Sequence, residues 1–122
     1  MLNFELKRAE SILILKPEGP LESKDFEKLA REVDPYISEN GTINGLMIYA
    51  KSFPGWDNFA AFLHHIKFVK NHHRKIRRIA AVTDSGFLSV MPKVARHFVK
   101  AEIRHFDYDD KETALSWLKV DG

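Results

Sequence analysis

The 122-residue chain contains no cysteine. That excludes disulfides, thiolate nucleophiles and cysteine-ligated zinc or iron–sulfur centres. Apolar runs are only a few residues long. A membrane-crossing helix needs about 20 such residues in succession, so none is expected. The opening residues, Met1-Leu2-Asn3-Phe4-Glu5, lack the basic-then-apolar layout of a secretory leader, and a cytoplasmic location is the default expectation. Neither a Walker A loop nor a dinucleotide-binding glycine pattern is present. Ser52 and Ser85 lack the Gly-x-Ser-x-Gly elbow of a hydrolase nucleophile. There is no low-complexity stretch, linker or internal repeat, and the length suits a single domain spanning 1–122.

Acid is scarce in one particular place. Residues 58–101 carry nine Lys/Arg (Lys67, Lys70, Arg74, Lys75, Arg77, Arg78, Lys93, Arg96, Lys100) against a single acid, Asp84. The rest of the chain is acidic, so a net charge of only +2 conceals a polarised molecule. Five of the six histidines (His64, His65, His72, His73, His97) share the basic part. Such a division steers anionic partners. It also serves as a plain solubilising face. The histidine spacings miss the i, i+4 pairing of a helical metal site, and no metal or other cofactor is expected. Acidification would add charge to the same surface, because histidine titrates near 6.5.

What the chain does have is a core. Hydrophobic residues make up 44% and include nine Phe, enough to argue against disorder. Asn3–Arg8 and Ser11–Lys16 read as two strands joined at Ala9-Glu10, the first half-buried, the second with the buried run Ile12-Leu13-Ile14-Leu15. Pro17-Glu18-Gly19-Pro20 forces a turn. A helix capped by Ser23 follows, with Phe26, Leu29, Ala30, Val33 and Ile37 at helical spacing. Its outer face reads as acidic, Pro35 is expected to kink or shorten it, and Asn40-Gly41 to end it. A central strand covers Asn44–Ala50. After the loop Lys51–Trp56, Asp57 caps a second helix running to about His72, with the stripe Phe59, Phe62, Leu63, Ile66 and Val69. A buried strand lies at Ile76–Thr83, a third helix at Phe87–Lys100, a last strand at Glu102–Phe106, and a closing helix with Asp109 and Glu112 as capping box. The order is ββαβαβαβα. It implies an α/β fold with a mostly parallel five-stranded sheet, an antiparallel edge strand and four helices.

Several pieces carry a resemblance. They are the strand ending Met47-Ile48-Tyr49, the loop Phe53-Pro54-Gly55-Trp56, the helix Phe59–Phe68, the run Arg78-Ile79-Ala80-Ala81-Val82-Thr83-Asp84, then Glu102–Phe106 and Ala114-Leu115-Ser116-Trp117-Leu118. Together they resemble the SpoIIAA-like family of the STAS superfamily over nearly the whole chain. The resemblance implies a SpoIIAA/STAS-like fold, akin to that of CRAL-TRIO lipid-carrying domains. It also implies a mostly non-enzymatic role in binding regulatory proteins, nucleotides or lipids. STAS anti-sigma antagonists place a phosphorylatable serine in an Asp-Ser-x-Gly-like loop before the second helix. Here Ser52 stands earlier than that place, which Trp56-Asp57 occupies.

Two candidate sites follow. Ligands of open α/β sheets gather beyond the carboxyl ends of the strands. This puts Lys51, Ser52, Phe53 and Trp56 beside Thr83, Ser85 and Phe87 as a pocket for a small amphiphilic anion, or else Trp56 simply plugs the sheet end. The second site is a basic, partly apolar surface on helices 58–72 and 87–100: His64, Phe68, His72, Lys75, Met91, Lys93, Arg96 and Lys100. Its composition suits an interfacial helix on anionic lipid, with peripheral attachment at the inner membrane surface. The alternative is a regulatory protein–protein interaction module, homodimeric by acidic-to-basic helix pairing. Nucleic acid is disfavoured because no reader motif is present. No catalytic residue is assigned.

Overall fold

A computed structural model of the chain describes residues 2–18, 23–40, 43–52, 76–89, 91–97 and 102–119. Five strands form one sheet in sequential order: β1 (Leu2–Lys7), β2 (Ile12–Pro17), β3 (Ile43–Tyr49), β4 (Ile76–Val82) and β5 (Glu102–Phe106). β1 runs antiparallel to β2, and β2 through β5 run parallel to one another. The described α-helices are α1 (Ser23–Asn40), α2 (Met91–His97) and α3 (Lys111–Lys119), with 3-10 turns at Ser85–Ser89 and Tyr108–Asp110. The α/β class and the mixed sheet with its antiparallel edge agree with the expectation. The second expected helix, over 58–72, lies outside the described residues, so the described part holds three helices rather than four.

The continuous apolar runs explain the layering. A strand alternates its side chains between faces, so a strand apolar at every position needs cover on both. On one face Leu13, Leu15, Leu46, Ile48, Ile79 and Ala81 pack with Leu29, Val33 and Tyr36 of α1 and with Phe87. On the other, Ile12, Ile14, Met47, Ala80 and Val82 pack with Ala114, Leu115 and Leu118 of α3. β1 is amphipathic. Phe4 and Leu6 join the α1 side, while Glu5 and Lys7 share the opposite face with their cross-strand partners Ile14 and Ile12. The α3 side of the sheet therefore turns polar towards its β1 edge.

The hairpin between β1 and β2 is tied to β3 by one unusual residue. Ser11 has φ of 59°, in the left-handed region where non-glycine residues are uncommon. In that conformation its carbonyl accepts from the Asn44 amide at 2.9 Å and the Gly45 amide at 3.2 Å. Tyr36 of α1 reaches the same hairpin, donating its hydroxyl to the Arg8 carbonyl at 3.0 Å.

Four local expectations are corrected. Pro35 does not shorten α1, which continues to Asn40. Pro35 and the residue four before it, Arg31, are both exposed, so water can take the carbonyl that the missing N–H leaves free. The outer face of α1 is mixed rather than acidic: Lys24, Lys28 and Arg31 are exposed beside Glu27, Glu32 and Glu39. The single helix expected over 87–100 is instead a 3-10 turn followed by the short α2. Asp84 sets that turn, its carboxylate accepting from the Gly86 amide at 3.1 Å. Finally, the extended residue before the closing helical stretch is Asp107, not Asp109, which lies inside the 3-10 turn.

Candidate functional site

The carboxyl ends of β2, β3, β4 and β5 all lie at one end of the sheet, because these strands are parallel. Two distinct environments form there, separated by the sheet itself.

The first follows β4. Thr83 is fully buried, its amide donating to the Phe106 carbonyl at 3.2 Å. Its side-chain hydroxyl finds no partner among the described residues. His105 Nε2 lies 2.9 Å from the Thr83 carbonyl and 3.0 Å from the Asp84 carbonyl. Both oxygens only accept, so Nε2 carries the proton. The imidazole stacks near Phe87, with ring centroids 6.3 Å apart and planes 14° from parallel. Phe87 is 0% exposed and belongs to the α1-side core. Its neighbour Leu88 is 51% exposed, the one large hydrophobic side chain in that state among the described residues. Beyond it Pro92, Lys93, Ala95 and Arg96 are exposed, while Met91 is half-buried against the α1-side core.

The second environment is a cleft of about 330 Å³ on the opposite side. Lys16 and Glu18 line it from the end of β2, Tyr49, Lys51 and Ser52 from the end of β3, and Tyr108 from the 3-10 turn after β5. Tyr49 and Tyr108 stack with centroids 4.8 Å apart and planes 5° from parallel. The Lys111 ammonium sits 4.7 Å from the Tyr49 ring centre, a cation–π contact. A hydrogen bond to Tyr108 raises the Tyr49 pKa above its ordinary value, followed by burial and by the nearby Tyr108 and Asp109. Just outside the cleft, Glu5 accepts from Lys7 at 3.1 Å. That bond lowers the Glu5 pKa, burial opposes it, and the fields of Lys7, Lys16 and Lys111 add to the lowering.

These placements divide the pocket expected from sequence. Lys51 and Ser52 line the cleft on the α3 side, and none of Thr83, Ser85 or Phe87 does. Thr83 and Phe87 are enclosed, and Ser85 is exposed at the start of the 3-10 turn. Phe53, Trp56, His64, Phe68, His72, Lys75 and Lys100 lie outside the described residues. Of the expected basic surface, Lys93 and Arg96 are exposed and Met91 is half-buried. Sequence reasoning missed Lys16, Glu18, Tyr49 and Tyr108. Their signal was available: Lys16 and Tyr49 continue the faces of Ile14 and Met47 by strand alternation, and parallel strands put both at the same end. Among the described residues, no group of three or more His, Asp or Glu is arranged to hold a metal ion.

The family model described as SpoIIAA-like matches residues 12–119, from the start of β2 to the last residue of α3. The chain belongs to the SpoIIAA-like family, within the STAS superfamily. No curated protein and no solved structure matches it. SpoIIAA-like STAS domains are generally non-catalytic regulatory modules, and STAS domains commonly interact with regulatory proteins. Among the described residues, no helix is long and apolar enough to cross a membrane.

Proposed function

We propose that this SpoIIAA-like domain associates reversibly with anionic membrane surfaces or an amphiphilic ligand through the basic, partly apolar surface that includes α2. The observation that carries this reading is Leu88, half-exposed in the turn that leads into a helix displaying Lys93 and Arg96 and no acid. An apolar side chain beside cations is the chemistry of interfacial binding. The chain enters the acyl boundary, and each cation adds at most about 1 kcal/mol at an anionic surface. With one described leucine and a few cations, attachment is weak and salt-sensitive.

Sedimentation with vesicles tests it. Binding to vesicles containing phosphatidylglycerol is expected, with little to neutral phosphatidylcholine, and it falls as salt rises. Leu88→Glu and the pair Lys93→Glu/Arg96→Glu each weaken it. Equal binding to both vesicle types, or none to either, removes the reading.

The second reading is a regulatory protein-interaction module, homodimeric in its simplest form. Membership of the STAS superfamily favours it, since these domains commonly engage regulatory proteins. The mixed charge on α1 offers little net acid for the basic surface to pair with, which weakens the self-association version. Light scattering at low and high salt distinguishes the two: a salt-dependent dimer supports self-pairing, and a monomer under both conditions opposes it.

A further inference from the structure

The cleft at the ends of β2 and β3 is not part of the surface just described. It lies on the α3 side of the sheet, whereas Phe87, which leads into α2, packs on the α1 side. Its lining combines two ammonium groups with hydroxyls and one carboxylate. Among the described residues Lys16 and Lys51 form no ion pair, while the neighbouring Glu5 is already engaged by Lys7. Lys16 is half-buried, so its charge is only partly screened by water.

The phenols add direction. The Tyr108 hydroxyl lines the cleft and has a hydrogen to donate to a bound oxygen. The stack on Tyr49 fixes the Tyr108 ring, which gives the donor a set position. Ser52 supplies a second hydroxyl from the end of β3. Glu18 accepts only, and suits a hydroxyl of the bound molecule rather than its charged group.

Charge and size then select the ligand class. A phosphate monoester carries about −1.5 to −2 at neutral pH and presents three acceptor oxygens, enough to meet two lysines and two hydroxyl donors together. A carboxylate or a phosphodiester offers only two charged oxygens to the same four donors. A volume of about 330 Å³ stands near the lower end of the roughly 300–1,000 Å³ range of ligand pockets. We propose that this cleft binds a small hydroxylated phosphomonoester, with Lys16 and Lys51 facing the phosphate, Ser52 and Tyr108 donating to it, and Glu18 accepting from an adjacent hydroxyl. The phosphate belongs either to a free metabolite or to a monoester lipid headgroup.

The test uses the full chain, labelled with nitrogen-15 and titrated with glycerol 3-phosphate, with glycerol as the uncharged control. Saturable amide shifts centred on residues 16–18, 50–52 and 108–111 are expected, and none with glycerol. The pair Lys16→Gln/Lys51→Gln weakens the fitted Kd by about tenfold or more, a loss on the scale of removing one partner from a charged contact. Tyr108→Phe keeps the stacked ring and weakens binding by a few-fold. Sedimentation of the Lys16→Gln/Lys51→Gln pair with phosphatidic acid vesicles separates the two sources. If glycerol 3-phosphate gives no shifts but the pair loses vesicle binding that the parent shows, the phosphate is that of a headgroup. The proposal is overturned if glycerol shifts the same amides, if the pair binds as the parent does, or if neither probe binds. Failure of α2 to bind phosphatidylglycerol vesicles leaves the glycerol 3-phosphate result standing.

Discussion

Gly45 of β3 lies directly beneath Leu118 of α3, with no space for a side chain between them. A Cβ on Gly45 would stand 2.9 Å from Leu118 Cδ2, 3.0 Å from its Cβ and 3.2 Å from its Cγ. The terminal methyl could rotate away, but Leu118 Cβ is fixed to the helix backbone. Any side chain at position 45 therefore lifts α3 from the sheet.

Gly45→Ala should destabilise the protein by about 1–3 kcal/mol, the usual range for overpacking a close contact. Leu118→Ala alone should cost about 2–5 kcal/mol, because Leu118 is buried among Ile12, Ile14 and Met47. The double variant should lose less than the sum of the two, since truncating Leu118 makes room for the new methyl. Denaturant unfolding of the four proteins checks this. Strict additivity would mean that the helix does not sit on Gly45.

Thr83 is the reverse case, a side chain with a group too many. Its hydroxyl is buried and unpartnered among the described residues. Leaving such a group unmade costs about 1–3 kcal/mol. Thr83→Val keeps the branched shape and deletes the hydroxyl. It should stabilise the fold by about 1 kcal/mol, read as a rise in Tm. A loss of stability would show that the hydroxyl is satisfied in solution.

The strands were legible for a reason visible in Ile12-Leu13-Ile14-Leu15 and Ile79-Ala80-Ala81-Val82. Both are apolar at every position, and both turn out buried on both faces. α1 was legible from Leu29 and Val33, one turn apart on the buried side. The segment after β4 was misread because an apolar run at helical spacing does not reveal where a turn interrupts it. Asp84 and Gly86 close that turn by a side-chain hydrogen bond, and Phe87 then enters the core. The cleft was missed for another reason. Lys16, Tyr49 and Tyr108 are distant in sequence and meet only once the strand order is known.

Arg78 ties β4 to the far end of α3. Its guanidinium donates to the Trp117 carbonyl at 2.6 Å and lies 5.1 Å from the centre of the indole ring. A carboxylate of Glu102 stands 4.0 Å away, but its side chain is 70% exposed. A charged hydrogen bond contributes about 1.5–3 kcal/mol, whereas an exposed ion pair contributes about 0–1. The carbonyl therefore dominates. Arg78→Ala should cost about 2 kcal/mol, and Glu102→Gln only a few tenths. Arg78→Lys should fall between, because a lysine keeps the charge but loses the flat group that lies over Trp117. Equal losses from Arg78→Ala and Glu102→Gln would reverse this ranking.

Tyr49 makes a prediction at the alkaline end. Its pKa is raised above the ordinary 10.0, first by the hydrogen bond to Tyr108. The folded protein thus holds the phenolic proton more tightly than the unfolded chain does. The resulting stability is fully present below the unfolded pKa and is lost as pH rises through the folded one. Tyr49→Phe keeps the ring in its stack and removes the titrating proton. The variant should be less stable than the parent at neutral pH, and the gap should narrow as pH climbs above 10. Phenolate absorbance should show a late-titrating tyrosine in the parent that is absent from the variant. A gap that stays constant with pH would show that Tyr49 contributes by stacking alone.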